Sequence, residues 1–515
     1  VSLGVVYLVG AGPGAPGLVT VRGAELLGSA DVVLHDDLVH RQLLSLARAD
    51  AEIVYVGKRG HFPADKSRKQ SEIDEALVAY GRAGKRVVRL KGGDPYLFGR
   101  GSEEAEALVR AGIPFEVVPG VCSPLAAAAF AGMSLTHRDL ASSVTFVSAT
   151  QRDGVPFDFA ELVNIRGTIC VLMGVKRLDD IARDLVAKAG RDPSTPASVI
   201  ASATLPRQRV VTSTLVGIAE AARTASIAAP AILIVGDVVS LRERLGEGLG
   251  LRWFDAGPLF GRRVLVPRPR AQAGEAVALL EARGAEAIAI PTIAIHPVGD
   301  AELARAIQEL RTYDVVAFTS VNTVERFFDG LRAQRRDARA FGDAKIASIG
   351  AATTRALEAE RLRPDIVPAK ADGAELGRSV LEALGAKGGA RVLFPRAAAA
   401  REALFDVLRP AGVQVDGVTV YETRSPGAED RDALVAAFAE GIDAVLATSP
   451  STIQHLVDAL GDRAALLQGV AIACIGETTA EATRALGLDV ALISSPSTVP
   501  VLVDALAAFY VSRTP

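Results

Sequence analysis

A chain of 515 residues, 49% hydrophobic and 23% charged, is ordinary globular material, long enough for three or four domains of about 150 residues. A net charge of −3 excludes the basic footprint of a nucleic-acid binder, and no apolar run reaches the ~20 residues of a membrane-spanning helix. Three scattered cysteines, Cys122, Cys170 and Cys474, argue against a disulfide framework or a zinc site; with an N-terminus lacking a basic, cleavable leader, they predict a cytoplasmic protein.

Apolar runs alternate with stretches rich in Ala, Leu, Glu and Arg from end to end, which predicts an α/β fold. The first strand, near 5–9, runs into G-A-G-P-G-A-P-G-L, residues 10–18. A strand entering a glycine-rich turn suggests a dinucleotide loop, and Asp36 and Asp37 end the next strand, where an acid would hold a ribose. Yet Pro13 has no N–H to give a pyrophosphate. A plain strand-to-helix turn and a phosphate-free ligand stay open beside the dinucleotide.

Further strands are predicted near 31–35, 53–56, 86–90 and 115–118, then near 144–148, 168–173, 197–201, 209–213 and 231–236. The two sets make two α/β layers, about 1–135 and 136–245, with T-H-R-D, Thr136–Asp139, between them. After strand 86–90 comes K-G-G-D-P-Y-L-F-G-R-G, Lys91–Gly101. Gly92 and Gly93 let backbone approach a flat ligand, Asp94 offers carboxylate oxygens to an amine or hydroxyl, and Asp-Pro pins the turn. A third loop, V-P-G-V-C-S-P, follows strand 115–118. Residues 246–261 read as a linker, within a Gly-rich, charged stretch that carries the only tryptophan, Trp253; such a segment predicts freedom between the halves it joins.

Beyond it lies a repeat. R-V-L-V-P-R at 263 recurs as R-V-L-F-P-R at 391, an offset of 128. V-V-A-F-T-S-V-N-T at 315 recurs as A-V-L-A-T-S-P-S-T at 444, and A-S-I-G-A-A-T at 347 as A-C-I-G-E-T-T at 473. Three motifs in one order at nearly one period mean two similar α/β lobes rather than a solenoid. Ligands in open α/β sheets sit beyond the carboxyl ends of strands. That places Arg268, Ser320, Thr353, Arg396, Ser449 and Thr478 where two lobes would face one cleft, a clamp for a polyanion without metal ligands or a nucleophile–base pair. The bland reading of the Thr-Ser pairs is that they cap helices.

The motifs carry two resemblances. G-A-G-P-G, D-V-V-L-H-D-D-L-V, V-G-K-R-G, R-V-V-R-L-K-G-G-D-P-Y-L-F-G-R-G, V-V-P-G-V and L-T-H-R-D, over about 5–245, resemble the uroporphyrinogen-III C-methyltransferases. The resemblance implies a two-subdomain tetrapyrrole-methylase fold over 1–245 and S-adenosylmethionine as methyl donor. It implies cofactor contacts at Pro13, Gly92, Gly93, Asp94, Leu97, Cys122, Ser123, Met173 and Ala203, and proton-transfer roles for Asp36 and Lys58. The family usually has Thr-Ala where Cys122-Ser123 stands, often Gly at Ala203 and often Asp at Ala15, so a threonine hydroxyl contact is lost here. Met173 reads equally as a core residue. Arg22, Lys58, Arg59, Arg89, Arg100 and Arg138 are the cations available to a substrate with eight carboxylates, though any single one reads as a surface charge.

The second half, 262–515, resembles uroporphyrinogen-III synthase through R-V-L-V-P-R-P-R, F-T-S-V-N, I-G-A-A-T, V-Y-E-T, T-S-P-S-T and I-G-E-T-T. The resemblance implies no cofactor, a role for Tyr421 in assisting loss of a hydroxyl, and two lobes, about 262–298 with 425–512, and 300–420. The product of that activity is the substrate of the first. Together they imply a bifunctional enzyme that cyclises hydroxymethylbilane to uroporphyrinogen III, then methylates it twice to precorrin-2, on the route to sirohaem and cobalamin. They also imply a homodimer through the methyltransferase half. The residues alone leave open a nicotinamide-dependent oxidoreductase in the first half and a non-catalytic tetrapyrrole-binding module in the second.

Overall fold

A computed structural model describes residues 3–57, 70–151, 154–244, 251–268, 270–385, 388–400 and 402–513. Strands β1 (Val5–Gly10), β2 (Val32–His35), β3 (Glu52–Tyr55), β4 (Arg86–Lys91) and β5 (Phe115–Val118) form a five-stranded sheet in the order β3-β2-β4-β1-β5. Every pairing in it is parallel. Parallel sheets are covered on both faces, which is why β1 and β4 read as unbroken apolar runs. Val6 and Leu8 enter one core and Tyr7 and Val9 the opposite one, the period-2 alternation of a strand.

The second layer holds β6 (Val144–Ser148), β7 (Thr168–Leu172), β8 (Pro196–Ala201), β9 (Arg209–Thr214) and β10 (Ala231–Val235), in the order β6-β7-β10-β8-β9. Here only β6–β7 is parallel; the other three pairings are antiparallel. All ten strands fall where the apolar runs predict them.

The second half adds β11 (Arg263–Val266), β12 (Glu286–Ala289), β13 (Ala294–Pro297), β14 (Val315–Phe318), β15 (Lys345–Ser348), β16 (Arg391–Ala397), β17 (Gln414–Arg424), β18 (Ala444–Ala447), β19 (Ala471–Cys474) and β20 (Val490–Ile493). They form two sheets, β12-β11-β18-β19-β20 and β13-β17-β16-β14-β15. The repeated motifs occupy matching strands: β11 and β16, β18 and β14, β19 and β15. The sequence repeat is thus a repeated strand order, entered at a different point of the chain in each sheet.

The described part of the segment expected to be a free linker is packed. Trp253 Nε1 donates to Ala129 O at 2.9 Å, at the end of the helix Ser123–Phe130. The Phe130 ring lies 4.8 Å from Trp253 and 4.7 Å from Phe254. Buried Arg242 donates to Ala131 O and pairs with Asp255. Aromatic area and a buried ion pair outweigh the flexibility that glycine content suggests. Two compact units partition the chain, one of 1–264, 275–288 and 498–515, the other of 265–274 and 289–497.

Candidate active site

In the first unit three strand ends deliver three loops to one place. Gly12 and Gly93 exchange hydrogen bonds, Gly12 N to Gly93 O at 3.2 Å and Gly93 N to Gly12 O at 2.7 Å. The Asp94 carboxylate fastens the other two loops. Its Oδ1 accepts from Tyr96 N at 2.8 Å and Leu97 N at 3.1 Å, and its Oδ2 from Gly120 N at 3.0 Å. The Asp94 carboxylate is thus anchored by backbone amides of its own loop and of the third loop. A Cβ on Gly120 would lie 2.3 Å from Gly93 O and 2.8 Å from Gly10 Cα, so only glycine fits there. Gly93, by contrast, has φ +69° and faces open space, with only Ser123 N, at 3.8 Å, near an added Cβ.

These contacts gather Gly92, Gly93, Asp94 and Leu97 with the β1 loop of Pro13 and, across Gly120, with Cys122 and Ser123 at the start of the helix Ser123–Phe130. Cys122 is its N-cap residue without a side-chain bond and is buried. The second layer joins the cluster through the loop after β8: Thr204 Oγ1 accepts from Ala15 N at 2.9 Å, and a Cβ on Gly14 would meet Ala203 O at 3.2 Å. Thr204 N in turn donates to Gln208 Oε1 at 2.9 Å, and Gln208 Nε2 to Phe130 O at 3.0 Å. Thr204 and Gln208 belong to the site's frame and carry no sequence signal beyond their place after a strand. Met173 follows β7 with φ +58° and a 59% exposed side chain, so it is not the core residue its type suggests.

Asp36 follows β2, which pairs with β4 so that Leu34 faces Arg89. Its Oδ1 accepts from Leu38 N at 3.2 Å, and its Oδ2 lies 3.4 Å from Arg89 Nη2. Arg89 is 3% exposed and also reaches Glu104, so it serves the carboxylates of its own fold. Arg22 is likewise engaged: a two-pronged pair to Glu116, at 3.1 and 3.0 Å, on the surface. Arg100 forks onto Glu103. Lys58 and Arg59 lie outside the described residues.

In the second half Ser320 follows β14 and caps the helix Val321–Ala333, accepting from Thr323 N at 3.2 Å. Ser449 follows β18 and caps the helix Pro450–Leu460, accepting from Thr452 N at 3.2 Å. Both Thr-Ser pairs are therefore caps, and Ser320 is more: its Oγ lies 3.3 Å from the Tyr421 hydroxyl. Tyr421, on β17, is 7% exposed and meets β16 where the register shifts between Arg396 and Ala397. Arg396 lies within β16, donating to Ala400 O at 3.2 Å and to Glu402 at 3.4 Å. Arg268 follows β11; its burial pushes the guanidinium pKa below its usual value. Thr353 is buried at 3%, and its repeat partner is the equally buried Thr479, whereas Thr478 is exposed. Both threonines pack under their helix starts instead of lining an open surface.

Two family models match the chain: tetrapyrrole (corrin/porphyrin) methylases over residues 5–219 and uroporphyrinogen-III synthase HemD over 274–504. These define a tetrapyrrole methylase joined to a uroporphyrinogen-III synthase. A porphyrin biosynthesis protein HemD of Ruminiclostridium josui is 37% identical over 485 residues, 93% of each chain. The chain belongs to this family of methylase–synthase fusions and is a bifunctional protein of tetrapyrrole biosynthesis. A siroheme synthase of Pseudomonas fluorescens is 48% identical over 256 residues, 50% of this chain; the chain spans about half of that protein, 53%. Among solved structures, a uroporphyrin-III C-methyl transferase of Thermus thermophilus complexed with S-adenyl homocysteine is 44% identical, covering 46% of this chain and 93% of that one, TM-score 0.40. A mutant uroporphyrinogen III synthase of the same organism is 20% identical, covering 49% of this chain and 100% of that one, TM-score 0.36.

Proposed function

We propose that the second half closes hydroxymethylbilane to uroporphyrinogen III with inversion of the last ring, and that the first half methylates this product twice to precorrin-2. The observation that carries the reading is the meeting of the three loops around Gly93, beside Asp36. Gly93 has open space on the side where a Cβ would stand, and Pro13 interrupts any row of amides for phosphate. That favours S-adenosylmethionine over a dinucleotide. When bound, this cofactor supplies an electrophilic methyl group on a sulfonium centre.

Pro13, Gly92, Gly93, Asp94, Leu97, Cys122, Ser123, Met173 and Ala203 would hold it, and Asp94 also fastens the loops that do so. Their work is positioning, the main source of rate for a transfer between pre-activated partners. Asp36 would take the proton released by the ring, with Lys58 as its counterpart. In the second half the leaving hydroxyl departs as water when its C–O bond breaks, taking a proton from Tyr421. Arg268 and Arg396 are the cations suited to substrate carboxylates there. The reading includes a homodimer through the first half, from likeness to the family, and a cytoplasmic location, from the three free cysteines.

The test is incubation of the intact protein with hydroxymethylbilane, with and without S-adenosylmethionine, followed by oxidation, isomer separation and mass spectrometry. Type III isomer without the donor, and a gain of two methyl groups with it, is the expected result. Only type I isomer would turn the second half into a binding module; type III without methyl gain would remove the reading of the Pro13 loop.

A further inference from the structure

Asp36 tops a cluster of four charges, with Arg89, Lys91 and Glu104 buried beneath it. Arg89 and Lys91 alternate on β4, so both side chains leave the same face of the strand. The helix Gly101–Arg110 packs its stripe of Gly101, Glu104, Ala105 and Leu108 inward. Glu104 thus occupies an apolar position of that stripe and is 0% exposed. Its Oε1 accepts from Lys91 Nζ at 2.7 Å, Arg89 Nε at 3.3 Å and Gln70 Nε2 at 3.4 Å. Its Oε2, equally buried, has no hydrogen-bond donor among the described residues.

A carboxylate so placed is expensive. Burying charge costs several kcal/mol per ion before pairing, and one oxygen here recovers nothing. Leucine would fill the stripe without that cost. The geometry shows what the carboxylate does instead. The guanidinium of Arg89 is held from its Nε side by Glu104 and from Nη1 by Leu90 O at 3.0 Å, which leaves Nη2 aimed at Asp36 Oδ2. Lys91 supplies the second positive charge that balances the two carboxylates, and burial followed by the neighbouring Arg89 holds its pKa below the usual lysine value. Of the four groups only Asp36 reaches solvent, with a 26% exposed side chain.

We propose that Glu104 is a positioning residue for methyl transfer, acting through Arg89 to hold the Asp36 carboxylate in place. The inference rests on the proton-transfer reading of Asp36 given above. Glu104 is fully buried and acts only through Arg89.

A double-mutant cycle tests it, read by single-turnover transfer of labelled methyl from S-adenosylmethionine to uroporphyrinogen III. Glu104→Gln in the otherwise unchanged protein is expected to lower the transfer rate about tenfold, as residues that act as one unit do. Affinity for S-adenosylhomocysteine and synthase turnover stay unchanged. In an Asp36→Asn background the same substitution is expected to change the residual rate by less than about twofold. A residue that merely stabilises the fold would lower the rate in both backgrounds, and that result, or no loss in either, overturns the proposal. If Asp36→Asn alone leaves the rate intact, the reading of Asp36 fails instead. Should Glu104→Gln fail to fold, the cycle is run with Glu104→Gln combined with Lys91→Met, which removes one charge of each sign, and the same pattern is required.

Discussion

The hydroxyl of Tyr421 lies 3.3 Å from Ser320 Oγ, which ties a residue of β17 to the N-terminus of the helix that follows β14. The ring itself is packed in the core with Phe318, Phe327 and Val420, so only its oxygen is at the helix start. A helix N-terminus favours negative charge on a nearby oxygen. The pair therefore fixes the position of the hydroxyl that the proposed cyclisation uses as proton donor.

Tyr421→Phe keeps the packed ring and removes that oxygen. Cyclisation of hydroxymethylbilane by this variant is expected to fall by about 100-fold, the lower range for a positioned proton donor. Ser320→Ala also removes an N-cap and is expected to cost about 1 kcal/mol of stability. Isomer-resolved rates and thermal denaturation of both variants check this; an unchanged rate for Tyr421→Phe would reduce Tyr421 to a packing residue.

Asp94 accepts three backbone N–H groups. Asp94→Asn turns one end of the side chain into a donor facing an amide. Hydrogen bonds to a charged group contribute about 1.5–3 kcal/mol, so losing one predicts at least roughly tenfold weaker binding of S-adenosylhomocysteine. Titration calorimetry measures it, and synthase turnover should be unaffected.

Gly120→Ala and Gly93→Ala separate crowding from conformation. The first drives a methyl to 2.3 Å from a backbone oxygen, where nothing can yield, and should abolish cofactor binding. The second meets open space and is penalised only by its φ of +69°, about 1–2 kcal/mol. Denaturation midpoints should rank the second variant clearly above the first.

His35, next to Asp36, is held below the usual histidine pKa, first by burial and then, against the raising influence of Asp36, by Arg89 and Arg41. The unfolded chain binds this proton below about pH 6.5 while the folded chain still resists it, so stability falls as pH drops through that region. His35→Gln should flatten this acid limb. Urea denaturation between pH 5 and 8 reads the difference.

Much of this architecture was legible in the chain because strand placement depends on local pattern. The buried runs 5–10 and 86–91 and the repeated R-V-L-V-P-R and R-V-L-F-P-R are of that kind. Side-chain partnership is not. Nothing local says that Arg22 pairs with Glu116, ninety-four residues away, or that Asp94 ties its loop to Gly120. Of the adjacent Thr478 and Thr479, the repeat itself aligns Thr479 with Thr353, seventh residue for seventh, and burial agrees. Glu104 did leave a trace, a carboxylate on an otherwise apolar helix stripe, but its meaning needed Arg89 across the sheet.

Trp253 is the chain's single tryptophan. Its indole rests on Phe130, at the far end of the helix that begins with Ser123, and 60% of it is open to water. Fluorescence excited at the indole band therefore comes from one point. It requires no added dye and sits one short helix from the loop that Cys122 closes. A shift of that emission to longer wavelength would report Trp253 leaving Phe130, in the same cuvette in which the methyl donor is titrated.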